Sequence, residues 1–220
     1  MKNYSLAKLL EIVIIPALWA TLRMLFLSGI MATVLGFIIG ILLVLTDKEG
    51  LHPNLILNKV LNTVVNIIRS FPFIILMISI IPFTRFIVGT SIGETAALVP
   101  LTVVATPFIG RIFESSFKEV DPSLIEAAHS FGASTIQIIF GVMLVESVPS
   151  IISGLSLAMI NLLGATAMAG AIGAGGLGAV ALTHGYQNFN KTIMYTIVVI
   201  LIILVALIQF IGDQLYKKLK

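Results

Sequence analysis

The chain has 220 residues, of which 58% are hydrophobic and 10% charged, and its mean hydropathy is +1.12. A water-soluble domain carries about 25% charged residues, so this chain has too few to cover a water-facing surface and reads as an all-α integral membrane protein. It has no cysteine, which excludes disulfides and thiolate chemistry. Its net charge of +3 comes from scattered basic residues, a pattern of bilayer anchoring rather than nucleic-acid binding.

In chain order, residues 1–23 carry Lys2, Lys8, Glu11, Pro16 and Arg23 in a modest apolar run without a small-residue cleavage site, so the chain is expected to be used whole. Residues 3–15 are expected to form a short amphipathic helix at the interface, which makes 1–16 an interfacial segment ahead of a membrane domain at 17–212. A spanning helix needs about 20 mostly apolar residues. Spans are predicted at 24–45, 60–83, 86–110, 147–169 and 192–212, the last followed by a basic tail at 213–220. Five spans put the termini on opposite sides. Lys217, Lys218 and Lys220 assign the C-terminus to the cytoplasm and the N-terminus to the outside. No internal repeat is visible, which weakens a reading as an inverted-repeat secondary transporter. A proton-coupled transporter or stand-alone channel would also want a mid-membrane carboxylate, and Glu94 and Glu146 fall near predicted span ends, as do Arg69 and Asp213.

Between the third and fourth spans, residues 113–146 form a polar interruption. Asp121–Pro122 is an N-cap followed by a first-turn proline, and Gly132 suits a left-handed C-terminal position. Ser134 and Gln137 match a capping box that opens a second short helix. Leu124, Ala128 and Phe131 share a face of the first helix with Ala127 beside them. The polar face lacks the lysines and arginines of a surface-bound helix. Small residues flanked by Leu124 and Phe131 suit a groove on a cytoplasmic partner.

The run Glu126-Ala127-Ala128, then Gly132, then Val142 and Leu144, resembles the EAA loop of ABC-importer permeases, with Val145 where that family has proline. The segments at 69–93, 99–116, 164–178 and 208–215 extend the resemblance over almost the whole chain and are similar to the methionine-uptake permeases of that family. The resemblance implies a type I permease fold with five spans and a homodimer in a bacterial cell membrane. It implies two copies of an ATP-binding subunit and a substrate-binding lipoprotein as partners. Glu126, Ala127, Ala128, Phe131, Gly132 and Leu144 would then belong to a coupling helix keyed into the ATPase, with Glu126 and Gly132 holding the loop's shape. An ABC permease for another amino acid or small solute is the alternative within the class.

The chain has no phosphate-cradling G-x-x-x-x-G-K-[ST], so ATP is expected on the partner and no cofactor on this chain. The Gly-rich run at 173–178 follows a membrane helix rather than a strand, which argues against a dinucleotide site. It reads as an outer loop shaping the pore mouth or as tight packing. His52, His129 and His184 lack metal-ligand spacing, and no catalytic constellation is visible. Among deep polar residues, Asn161 either bonds to a neighbouring helix or lines a path for a zwitterionic amino acid. Met168 reads as a packing methionine, while the resemblance implies that its segment faces the dimer axis, where two copies would form an apolar gate.

Overall fold

The structure is a computed structural model that describes residues 6–219. Lys2, the beginning of the expected interfacial helix and Lys220 lie outside the described residues. A helical turn, α1 (Leu6–Leu9), passes through a π turn (Leu10–Ile14) into α2 (Ile15–Thr46). The chain continues through α3 (Leu55–Ser70), α4 (Phe73–Ser79), α5 (Ile81–Val88) and α6 (Glu94–Lys118). Next come α7 (Pro122–Ser130), α8 (Thr135–Ile138), a second π turn (Ile139–Met143) and α9 (Leu144–Gly170). Last are α10 (Gly176–Val180), a third π turn (Ala181–Gln187) and α11 (Lys191–Leu219). Four helical stretches, Leu10–Thr46, Glu94–Lys118, Thr135–Gly170 and Lys191–Leu219, are long and apolar enough to cross a membrane, and the bent pair α3–α4 brings the number to five.

Several predicted boundaries move, each for a backbone reason. The helix does not break before the first span. The π turn lets the Ile15 N–H bond to Leu10 O, so donor-less Pro16 enters at the first turn of α2. The second span is not one straight helix, because α3 and α4 meet at 107°. Pro72 disfavours the helical region for the residue before it, and Phe71 is extended at φ −79°, ψ 132°. The third span begins at Glu94 rather than at 86, because Gly89, at φ 81°, ends α5. It then runs on to Lys118. The second short helix after Gly132 does not terminate but passes through the π turn at Ile139–Met143 into α9, so hairpin and span share one helical rod.

α6 is the central helix. Against α2 the backbones approach so closely that a Cβ on Gly36 would lie 2.7 Å from Ile109 Cγ2, and one on Gly40 would lie 2.4 Å from Phe113 Cβ. Small residues at helix crossings are the usual means of such approach in membranes. Pro100 and Pro107 are buried inside α6, and Phe37 meets Phe113 edge-on at 5.2 Å. At one end of the bundle, Gly93 N–H donates to Gly173 O at 3.0 Å and Arg23 pairs with Glu94 at 3.2 Å. The α7–α8 hairpin lies at the other end.

Candidate functional site

α7 projects from the bundle. Asp121 Oδ1 accepts from the Ser123 N–H at 2.9 Å, and this backbone hydrogen bond holds the Asp121 carboxyl below its ordinary pKa. The helix closes with Ala133 N–H donating to Ala128 O at 3.1 Å and Gly132 at φ 81°, the six-to-one bond of a left-handed helix stop. The capping box is complete, with Ser134 N–H donating to Gln137 Oε1 at 2.8 Å and Gln137 N–H to Ser134 Oγ at 3.4 Å. Three local devices thus shape the hairpin without any buried α7 side chain.

The expected contact face divides in two. Leu124, Ala127 and Phe131 are exposed, Phe131 at 92%. Ala128 turns inward with Ile125 and packs against the core, as does Leu144. Glu126 is exposed, and its carboxylate has neither hydrogen bond nor ion pair among the described residues. Within this chain, loop shape is therefore held by Asp121, Gly132, Ser134 and Gln137. A cleft of about 810 Å³, lined by Asp47, Lys118, Glu126 and His129 among others, separates α7 from the end of α2.

The hairpin is fastened at its flanks. His52, on the turn after α2, hydrogen-bonds to Thr135 Oγ1 at 2.9 Å. Asn58 Nδ2 donates to Leu43 O at 2.9 Å and to Thr46 Oγ1 at 3.2 Å, tying α3 to α2. On α6, nearly buried Glu114 accepts from Arg111 at 2.6 Å and from Lys118 at 3.0 Å. Lys118 also pairs with Asp47, and that hydrogen bond is the main cause holding the Asp47 carboxyl below its ordinary pKa. Arg111 continues to Asn66 Oδ1 on α3 at 3.1 Å. One polar chain therefore joins α2, α3 and α6 beside the hairpin. Sequence reasoning missed it, although Arg111, Glu114 and Lys118 stand at i, i+3 and i+7, the spacing of one helix face.

Met168 and Asn161 lie on a different constellation. Leu157, Asn161, Gly164 and Met168 follow one face of α9 and are exposed, Met168 at 49%. A Cβ on Gly164 would meet nothing within 4 Å, and Asn161 makes no side-chain hydrogen bond among the described residues. Leu144 and Met168 are 24 residues apart on α9, so Met168, at the far end of the stripe, lies about 36 Å from Leu144 along one rod. Beyond Met168 the glycines serve packing. A Cβ on Gly178 would lie 2.1 Å from Ala167 O, and Leu177 N–H donates to buried Thr21 Oγ1 at 2.9 Å. The Gly-rich run is thus folded tightly against α9 and α2.

Residues 32–220 match the family described as "Binding-protein-dependent transport system inner membrane component". The chain belongs to that family. As a member it is a multi-pass membrane component of a transport system and not an enzyme. The "Probable D-methionine transport system permease protein MetI" of Vibrio cholerae is 48% identical over 205 residues, 93% of this chain and 91% of that protein. The "Methionine import system permease protein MetP" of Bacillus subtilis is 48% identical over 172 residues, 78% of each chain. A solved structure described as "Inward facing conformations of the MetNI methionine ABC transporter", in its native crystal form, superposes with a TM-score of 0.95 at 43% identity. That superposition covers 99% of this chain and 100% of the other. An amino acid ABC transporter solved with histidines aligns over 93% of this chain and 92% of its own at TM-score 0.75 and 19% identity, a likeness of fold. The family member described here therefore has the all-α permease architecture of type I ABC importers.

Proposed function

We propose that this permease is the membrane-spanning subunit of an ABC importer that brings methionine into the cell. In this reading two copies enclose the route, two ATP-binding subunits bind ATP on the cytoplasmic side, and a substrate-binding lipoprotein delivers cargo outside. The names of the relatives support methionine as the cargo. The observation that carries the coupling is α7 itself, a capped helix with no buried side chain whose Leu124, Ala127 and Phe131 stand outward. Apolar anchors on a short helix suit a hydrophobic groove.

The mechanism is mechanical. Closure of the ATPase dimer on ATP draws the two α7 helices together. Because α8 runs without a break into α9, displacement at the hairpin reaches the Asn161–Met168 stripe along one rod. The polar chain through Asp47, Lys118, Glu114 and Arg111 brings α2, α3 and α6 along. The bundles rotate as packed bodies, and the two stripes part or meet to open or close the route. Met168 from each copy forms the apolar gate, and Asn161 offers an amide to the zwitterion below it. The lysines at the end of α11 keep the C-terminus in the cytoplasm, which puts the N-terminus outside.

The chain has no native cysteine, so Phe131→Cys adds one reactive thiol at the tip of the hairpin. With the ATP-binding subunit present, this thiol is expected to be shielded from a water-soluble maleimide, as seating a side chain in a groove requires. Equal labelling with and without that subunit would remove α7 from the docking surface.

A further inference from the structure

Arg69 does not sit where an anchoring residue belongs. It occupies the last turn of α3, just before the bend at Phe71–Pro72, and its guanidinium carbon lies 6.0 Å from the centroid of the Phe108 ring. Phe108 is in the middle of α6, ten residues before Lys118 and fourteen after Glu94. At 1.5 Å per residue it is about 15 Å from one end and about 21 Å from the other. The hydrocarbon core is about 30 Å thick, so a bilayer centred on α6 puts Phe108 and the Arg69 guanidinium near its middle, away from the span end that the place of Arg69 in the sequence suggests. Its charge is permanent, and an arginine at that depth has to face water or a partner.

The other arginines of the spans are matched to carboxylates, Arg23 to Glu94 and Arg111 to Glu114. Arg69 is exposed and has no ion pair or hydrogen bond among the described residues, only the Phe108 ring. The helix that carries it has two exposed faces. Ile56, Val60, Val64 and Ile67 form an apolar one. Lys59, Thr63, Asn66 and Ser70 form a polar one at helical spacing, with Arg69 flanking it. An apolar face accepts lipid. On that polar face Thr63 and Ser70 donate to Lys59 O and Asn66 O of their own helix and Asn66 accepts from Arg111, so the exposed guanidinium of Arg69 is the group that requires water, and it places α3 between the bilayer and an aqueous path.

We propose that the polar face of α3 lines the inward half of the translocation route and that Arg69 binds the α-carboxylate of the amino acid as it crosses mid-membrane. This inference rests on the reading of the chain as an amino-acid permease. The chemistry is matched on three counts. A guanidinium offers two parallel N–H donors to a carboxylate. Its own charge is uncompensated among the described residues, so a carboxylate arriving there meets a cation with no competing partner among them. Phe108 backs the guanidinium with its ring and leaves the donor edge free.

The test uses the complete transporter in sealed vesicles, with permease, ATP-binding subunit and binding protein, and radiolabelled methionine as the probe. Arg69→Gln is expected to lower maximal uptake by about tenfold or more, the scale of a lost charge-assisted pair, while ATP hydrolysis stimulated by the loaded binding protein stays within about twofold. Arg69→Lys, which keeps the charge without the fork, is expected to recover a substantial part of the uptake. Phe108→Leu, which removes the ring alone, is expected to cost less than about threefold. Normal uptake by Arg69→Gln would overturn the proposal. So would an equal loss in Phe108→Leu, or dissociation of the Arg69→Gln dimer on gel filtration, since either makes Arg69 a packing or cross-dimer pairing residue. Failure of the unaltered transporter to import methionine would instead count against the proposed cargo.

Discussion

Replacing Gly132 by aspartate is expected to abolish uptake while leaving the helix bundle folded. Gly132 holds φ 81° at the end of α7, and a Cβ built on it meets no atom within 4 Å. The cost inside the chain is therefore conformational, about 1 kcal/mol for a side chain in the left-handed region, and aspartate is among the residues best tolerated there. The cost in the complex is larger. A charge next to Phe131, the most exposed large apolar residue of the hairpin at 92%, would enter the apolar groove proposed for that side chain, which is strongly unfavourable. The checks are thermal unfolding in detergent, co-purification of the ATP-binding subunit, and uptake. The midpoint is expected to move by no more than about 5 °C, while co-purification and uptake fall together. Gly132→Ala, with at least as much backbone strain and no charge, should retain part of both. Undiminished uptake by Gly132→Asp would remove the hairpin from the coupling path.

Glu114→Gln is expected to have the largest effect on stability of any single change at the polar chain. The carboxylate is nearly buried, its side chain 9% exposed, and it receives both Arg111 and Lys118. An amide of the same shape leaves two cations facing a neutral group. Breaking a buried pair by removing one partner costs about 3–5 kcal/mol. Lys118 is 46% exposed and keeps Asp47 as a second partner, so the lower end of that range applies. In a chain of this length that corresponds to a fall of roughly 5–10 °C in the unfolding midpoint. Adding Arg111→Gln removes one of the stranded cations, so the double variant should lose less than the sum of the two single losses. A midpoint unchanged in Glu114→Gln would show that the chain of ion pairs does not hold α2, α3 and α6 together.

The hairpin was legible because its signals are local. An N-cap at Asp121, a glycine at the helix stop and a capping box at Ser134–Gln137 each act over three to five residues, and the structure contains all three. Which α7 residues face outward depended on where the bundle lies, so Ala128 was expected on the contact face and packs inward instead. Span positions were partly legible, since hydropathy marks apolar runs but is blind to what bends or joins them. It treated 60–83 as one helix across Pro72, began the third span inside α5, and separated the hairpin from α9 although a π turn joins them. The placement of Arg69 was illegible for the same reason. Its depth follows from the bend in its own helix and from the helix that supplies Phe108, and neither is a property of its neighbours in sequence. The polar chain through Glu114 likewise needed Asp47 and Asn66 brought in from two other helices.

The most direct measurement is uptake of radiolabelled methionine into sealed vesicles holding this permease, its ATP-binding subunit and its binding protein, with and without ATP. Accumulation that requires ATP and disappears when any one component is omitted is the expected result. Uptake by this chain alone, driven by an ion gradient without ATP, would contradict it and would make the hairpin something other than a docking helix.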